Sequence, residues 1–281
     1  MKPEALIVFI SPAGVTRRVA TVIERELKQL GADVIALDLK NLKKWPDVQG
    51  LINSAEKNSC LFIGSPVYRG QAVPPVMSFI SGLKPVRQKY AVSFATWGGS
   101  SSGSALWQMG TALKEKGFAM AGAIKVMGFH SMMFHEKDPL GAGRPDADDD
   151  EIIKKMVFKV YNDLGNGCVS PLSLETLDYQ PEAVSSRNKS AMTQPWKITP
   201  RRIAEERCTQ CGICEEECPA GAVSLSPYPR FAESCFDCLN CVRLCPEKAI
   251  ELLDDMSVRV AQIKLRAQTR NETPQTQAFI N

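Results

Sequence analysis

No stretch of this chain is apolar for long enough to cross a bilayer. The longest apolar runs, Leu6–Ile10 and Ala119–Ile124, fall far short of the ~20 residues that a span requires. The opening Met1-Lys2-Pro3-Glu4 carries a charge of each sign ahead of a short apolar run and lacks the extended apolar region of a secretory signal. The expectation is a cytoplasmic protein with no membrane span. Net charge is also scarce: +3 over 281 residues, too little to argue for a nucleic-acid partner. Histidine is limited to His130 and His135. The Gly-x-Gly-x-x-Gly fingerprint of a dinucleotide site is missing. Outside one short block, cysteine is reduced to Cys60 and Cys168.

What is present is an ordinary globular composition, 44% hydrophobic and 23% charged, which excludes disorder or collagen-like repeats for most of the chain. The length suggests one large domain or two. Charge is unevenly divided. Residues 201–255 hold a balance of −5, which leaves +8 for the remainder, and halves of opposite sign attract one another.

Eight of the ten cysteines lie between Cys208 and Cys245. In a chain without a secretion signal, such a block points to metal before disulfides. The pattern Cys208-x2-Cys211-x2-Cys214-x3-Cys218-Pro219 is repeated as Cys235-x2-Cys238-x2-Cys241-x3-Cys245-Pro246. Three thiolates two residues apart wrap a compact loop around three corners of a cubane, while the fourth reaches the other cluster. One 4Fe–4S cluster is thereby assigned to Cys208, Cys211, Cys214 and Cys245, and a second to Cys235, Cys238, Cys241 and Cys218. Structural zinc sites pair two well-separated Cys-x2-Cys knuckles, which this run does not do. Over residues ~203–253 the segment resembles bacterial two-cluster ferredoxins, with all eight ligand positions matched. With no open corner on either cluster, electron transfer is expected and cluster catalysis is not.

The N-terminal part alternates strand and helix. Ala5–Ile10 reads as a strand buried on both faces. Val19, Val22, Ile23, Leu27 and Leu30 follow at helical spacing, closed by Gly31. Further strands are expected at Asp33–Leu37, Cys60–Ile63, Tyr90–Ala95 and within Phe118–Met127. Helices are expected at Pro75–Gly82, up to Gly117, and over Asp148–Leu164. Asp148, Asp149, Asp150 and Glu151 would cap the last of these. Alternation of this kind makes a parallel α/β sheet, whose ligands sit beyond the carboxyl ends of the strands.

Three loops leave those ends. The first, Ser11-Pro12-Ala13-Gly14-Val15-Thr16, resembles the phosphate loop of flavodoxins. Ser11 and Thr16 offer hydroxyls, and Gly14 lets the backbone approach an anion at a helix N-terminus. Ala13 and Val15 depart from the family pattern by lacking polar side chains. The second loop, Pro66-Val67-Tyr68-Arg69-Gly70, and the third, Thr96-Trp97-Gly98-Gly99, are similar to the two flavin-flanking loops of that family. The resemblance implies a five-stranded doubly wound sheet of order 2-1-3-4-5, FMN as the cofactor, and Tyr68 and Trp97 against the flavin, with Arg69 near the ring or its phosphate. Over nearly its full length the chain resembles the iron–sulfur flavoproteins of anaerobes, a flavodoxin-like domain fused to a two-cluster ferredoxin of smaller α+β fold. A Gly143-Arg-Pro-Asp146 segment adds to that match.

The domains expected are 1–167 (flavodoxin-like), 168–200 (linker), 201–255 (ferredoxin) and 256–281 (tail). Leu172, Leu174, Leu177 and Trp196 would anchor the linker. In the tail, Val258, Ile263 and Leu265 suggest part of a helix, Phe279-Ile280 suggest an end that docks back, and disorder of the last ten residues is the alternative. His130, in the segment Met127–Gly143 that follows a strand end, is the candidate catalytic group, a proton donor at neutral pH. Cys60 reads as packing and Cys168 has no assigned role. Two functions fit. One is an FMN- and iron–sulfur-dependent reductase of a small organic substrate, fed by a ferredoxin-type or other low-potential donor. The other is a carrier that delivers electrons to a partner protein, such as a radical or corrinoid enzyme. A homodimer is compatible with either.

Overall fold

A computed structural model describes residues 4–40, 47–54 and 59–281. Its first unit runs β1 (Glu4–Phe9), α1 (Val15–Gln29), β2 (Asp33–Asp38), α2 (Val48–Ser54), β3 (Cys60–Tyr68), β4 (Gln71–Ala72), α3 (Pro74–Gly82), β5 (Lys89–Trp97), α4 (Ala105–Glu115), β6 (Phe118–Met127) and α5 (Ala147–Asn166). Strands β2, β1, β3, β5 and β6 lie side by side in that order, all parallel. Counted among the parallel strands alone, the order is 2-1-3-4-5, the flavodoxin-like winding. The apolar runs that predicted β1, β3, β5 and β6 are buried on both faces, whereas edge strand β2 leaves Ile35 exposed. On one face, Val19 and Ile23 of α1 and Ile153 and Val157 of α5 pack on Phe62 and Phe94. On the other, Val76 and Ile80 of α3 and Leu106 and Met109 of α4 pack on Val8 and Ile63.

Several expectations change. The second loop is not a loop throughout: β3 continues to Tyr68 and folds back through β4. The apolar continuity of Cys60–Ile63 hid this, because Gly64, Ser65 and Pro66 break the pattern although all three stay paired to β5. The cap of α5 is Asp146, whose carboxylate accepts the N–H groups of Asp148 and Asp149, while Asp149 closes the box by accepting from Asp146 N. The stretch expected as an aperiodic linker contains α6 (Leu174–Leu177) and α7 (Glu182–Ala191).

The second unit is small. It contains β7 (Arg201–Ile203), α8 (Ile213–Glu216), β8 (Val223–Leu225), β9 (Pro229–Phe231), α9 (Asn240–Leu244) and β10 (Ile250–Leu252). β7 pairs with β10 and β8 with β9, both antiparallel, around Cys214, Val223, Cys241 and Ile250.

The last segment is not a tail. It forms α10 (Met256–Arg270) and β11 (Gln277–Phe279), and β11 adds an antiparallel edge to β6 of the first sheet. Glu272 fastens the return: its carboxylate stands 2.6 Å from Nζ of Lys125, which is buried in β6, and it accepts hydrogen bonds from Ser102 N and Oγ. Among the described residues no helix is long and apolar enough to cross a membrane.

Candidate functional site

A cavity of about 650 Å³ opens at the carboxyl ends of β1, β3, β5 and β6. Its wall includes Ser11, Ala13, Val15 and Thr16 of the first loop, Pro66 through Gly70 of the second, and Thr96, Trp97 and Gly98 of the third. Of the residues expected to hold flavin, Gly14 and Gly99 are off the wall. Gly14 instead turns the chain into α1 at φ +90°, a conformation that costs glycine little. The loop's hydroxyls are already engaged: Ser11 Oγ accepts Arg17 N at 2.9 Å, and Thr16 Oγ1 lies 2.8 Å from Thr96 Oγ1. Backbone amides and the α1 terminus thus remain the main donors for an anion.

Tyr68 and Trp97 both line the cavity. The Tyr68 hydroxyl is 2.9 Å from Ser131 Oγ, and burial pushes its pKa up, so it stays protonated. The Trp97 indole donates to Gln275 O at 2.8 Å, which fixes the ring plane from the C-terminal segment. Arg69 takes a left-handed φ of 55°. Its guanidinium donates to Lys197 O and stacks over Trp196 at 5.7 Å, so it belongs to the seam between the units.

His130 is on the wall, but burial lowers its pKa to about 4. At neutral pH it is therefore a neutral imidazole and not the cationic proton donor expected. Its Nδ1 is buried with no hydrogen-bond partner. His135 packs at a tilt of 47° against Phe134, with centroids 3.9 Å apart, and is not on the wall.

Cysteines of the two repeats cross over. Cys208, Cys211, Cys214 and Cys245 line one small cavity. In the other group, Cys238 feels burial first and then the neighbouring Cys241, Cys218 and Cys235, and its thiol is pushed up. Such crowding suits thiolates bound to metal. Among the described residues, no three His, Cys, Asp or Glu side chains converge as a single ion would need. The small cavity lined by Cys208, Cys211, Cys214 and Cys245 fits a cluster held between their thiols. The two halves place their second-sphere donors alike: Cys218 Sγ accepts Ala222 N at 3.2 Å, and Cys245 Sγ accepts Ala249 N at 3.3 Å. One donor is not repeated. Buried Arg201 reaches Cys235 Sγ and Cys241 Sγ at 3.7 and 3.8 Å and pairs with Asp237 at 2.6 Å.

The cysteine block abuts the cavity. Phe236, between Cys235 and Cys238, forms part of its wall. Arg243 of α9 donates to Pro12 O in the first loop at 3.2 Å, and Lys40 meets Glu217 at 2.6 Å. The cavity also takes Arg187, Trp196, Arg259 and Arg266 from α7, α10 and the stretch between α7 and β7. Sequence reasoning placed Trp196 only as a linker anchor and missed the arginines, which lie on the polar sides of α7 and α10. The only signal was the run of basic residues on α10.

Cys60 is buried in β3, with its thiol pushed up by burial, as inert packing requires. Cys168 is exposed, with Sγ 3.7 Å from Asp163 Oδ1.

Residues 198–250 match the family described as 4Fe-4S dicluster domain. A ferredoxin-like protein encoded in the nif region of Rhizobium leguminosarum bv. trifolii is 40% identical over 53 residues, 16% of this chain and 83% of that protein. Ferredoxin-1 of Chlorobaculum tepidum is 42% identical over 53 residues and is covered to 86%. A component of an ion-translocating oxidoreductase complex from Methanosarcina acetivorans is 43% identical over 54 residues, but the match spans only 20% of it. Among solved structures, rubredoxin oxygen:oxidoreductase of Desulfovibrio gigas aligns with a TM-score of 0.45 at 21% identity, over 60% of this chain and 38% of that one. Flavodoxin 1 of Bacillus cereus aligns at 0.44 and 15% identity, over 57% and 97%. The sheet order itself makes the first unit flavodoxin-like. With its cysteine block matched to whole ferredoxins, the chain belongs to the 4Fe–4S dicluster ferredoxin family, carried here on a flavodoxin-like domain.

Proposed function

We propose that this redox protein binds two 4Fe–4S clusters and one FMN and passes electrons between them to reduce a small organic molecule. When bound, the clusters would supply single electrons and the flavin would pair them. The observation that carries the reading is the position of Phe236, between Cys235 and Cys238 of the repeat and in the wall of the flavin-type cavity. Cys208, Cys211, Cys214 and Cys245 would hold the outer cluster, where Cys211 is exposed to a donor protein. Cys218, Cys235, Cys238 and Cys241 would hold the inner one, next to the cavity. The first-loop amides would take the phosphate, and Tyr68 and Trp97 would bound the ring. Having all three groups in one chain removes the need for a diffusional encounter.

The reductase reading is favoured over a pure carrier by α7 and α10, which wall the cavity where a carrier would leave a flavin edge bare. The test is anaerobic purification followed by flavin, iron and sulfide assays. One FMN and about eight iron and eight sulfide per chain are expected. Absence of flavin, or zinc in place of iron, would overturn the proposal.

A further inference from the structure

The cavity wall is charged with one sign. Its charged side chains are Arg69, Arg187, Lys197, Arg259, Arg266 and Arg270, against the single carboxylate of Asp237. That carboxylate is already committed. It pairs with Arg201 at 2.6 Å and has Arg69 and Arg259 at 3.9 Å each. Arg187, Arg266 and Arg270 form no ion pair among the described residues. Burial, followed by the charges of Arg187 and Arg266, lowers the pKa of Arg270, so Arg270 lies within the field of both. Glu272 is near Arg270, but it is held by Lys125 and Ser102.

The three arginines come from two separate elements, α7 and α10, brought together by the return of the chain. Both elements are fastened to the loop after β5. Asn188 Nδ2 donates to Ser104 Oγ at 3.3 Å, and Glu272 accepts Ser102 N at 3.0 Å. The segments that carry the cluster are therefore tied to the stretch that follows the third loop. Like charges held together at the mouth of a cavity are unfavourable until an anion joins them, and guanidinium forks match carboxylate and phosphate oxygens. Gln262 and Ser101 on the same wall add neutral hydrogen-bonding groups.

We propose that Arg187, Arg266 and Arg270 form a binding site for a small organic anion, carrying carboxylate or phosphate groups, that enters the cavity beside the flavin. The proposal rests on reading this cavity as the flavin site.

The test is calorimetric titration of the full chain, purified anaerobically, with pyrophosphate and separately with succinate. Saturable binding of at least one probe is expected, weakening as salt is added. In the Arg266→Gln, Arg270→Gln double variant that affinity should fall by about tenfold to a hundredfold, the scale of lost hydrogen bonds to a charged group. The melting temperature and flavin content should not change. Preference for succinate would assign a carboxylate ligand, and preference for pyrophosphate a phosphate ester. Failure of both probes to bind, or equal affinity in the double variant, would overturn the site. Loss of flavin from the double variant would also overturn it, by giving these arginines to the cofactor phosphate. Wild-type protein that lacks flavin yet binds a probe through the arginines would remove the flavin reading and leave the anion site standing.

Discussion

Phe236 meets Tyr68 edge to face, with ring centroids 5.8 Å apart and planes at 78°. A second edge contact, to Trp196 at 6.4 Å, holds it from the other side. This small aromatic group is the packed seam between the cysteine block and the cavity, and Phe236 is only 1% exposed. Truncation to Ala should cost about 3–5 kcal/mol, as for other buried aromatics. Phe236→Leu keeps most of the volume and removes the ring edge. It should keep its iron and sulfide but show slower flavin reduction after rapid mixing with dithionite. Unchanged flavin kinetics in Phe236→Leu would remove this seam from the electron route.

Gly103 touches Gly70 across the ring-flanking loops. A Cβ at Gly103 would lie 2.2 Å from Gly70 O, and its φ of +61° is already one that side chains avoid. The same carbonyl accepts Ser104 N at 2.8 Å. Gly103→Ala should push the second and third loops apart and destabilise the fold by about 1–3 kcal/mol. FMN affinity, read by fluorescence quenching on titration, should drop with it. A normal melt with normal FMN affinity would show that the loops yield freely.

Arg201 is the donor that the two halves of the block do not share. Its guanidinium is 2% exposed and faces two thiols of the inner group. A fixed positive charge there favours the more negative, reduced state of a cluster. Arg201→Gln should lower the midpoint potential of one cluster and leave the other in place, as read by potentiometric titration with paramagnetic resonance. It should also cost about 3–5 kcal/mol, because Asp237 is left buried without its closest cationic partner. Equal shifts of both clusters would contradict the assignment of Arg201 to the inner one.

Much of the first unit was legible because strands buried on both faces leave continuous apolar runs. The cysteine repeat was legible because ligand spacing is local. The C-terminal return was legible only in part: Phe279 and Ile280 suggested an end that docks back, but not the strand it forms or the pair that fastens it. Helix α10 is held by Val260 and Ile263 against Met133; of the three residues that suggested the helix, Ile263 is buried, whereas Val258 and Leu265 are exposed. Strand β11 is three residues long and gains its place from β6 and from the Glu272–Lys125 pair, partners almost 150 positions distant. Helix α7 buries Ser185 and Asn188 and so leaves no apolar stripe to read. These segments supply the arginines of the cavity, so half of the candidate site was invisible while its loops were plain.

The buried imidazole of His130 gives the last prediction. Its pKa is lowered from 6.5 to about 4 because burial disfavours the cation. The unfolded chain therefore binds a proton between those values that the folded chain refuses, and stability must fall as pH drops through that window. Above it both states are neutral and the residue contributes no slope. The loss across the window is on the order of 3 kcal/mol. His130→Gln should flatten this part of the profile, measured as the difference between urea melts near about pH 5 and pH 7.5. The neighbouring geometry supplies an independent check. A Cβ on Gly98 would lie 2.7 Å from the His130 ring, so Gly98→Ala must displace it. If displacement lets water reach Nδ1, the imidazole titrates closer to its ordinary value, and the acid-side slope should shrink in Gly98→Ala as it does in His130→Gln. An acid slope that persists in both variants would place the responsible group elsewhere.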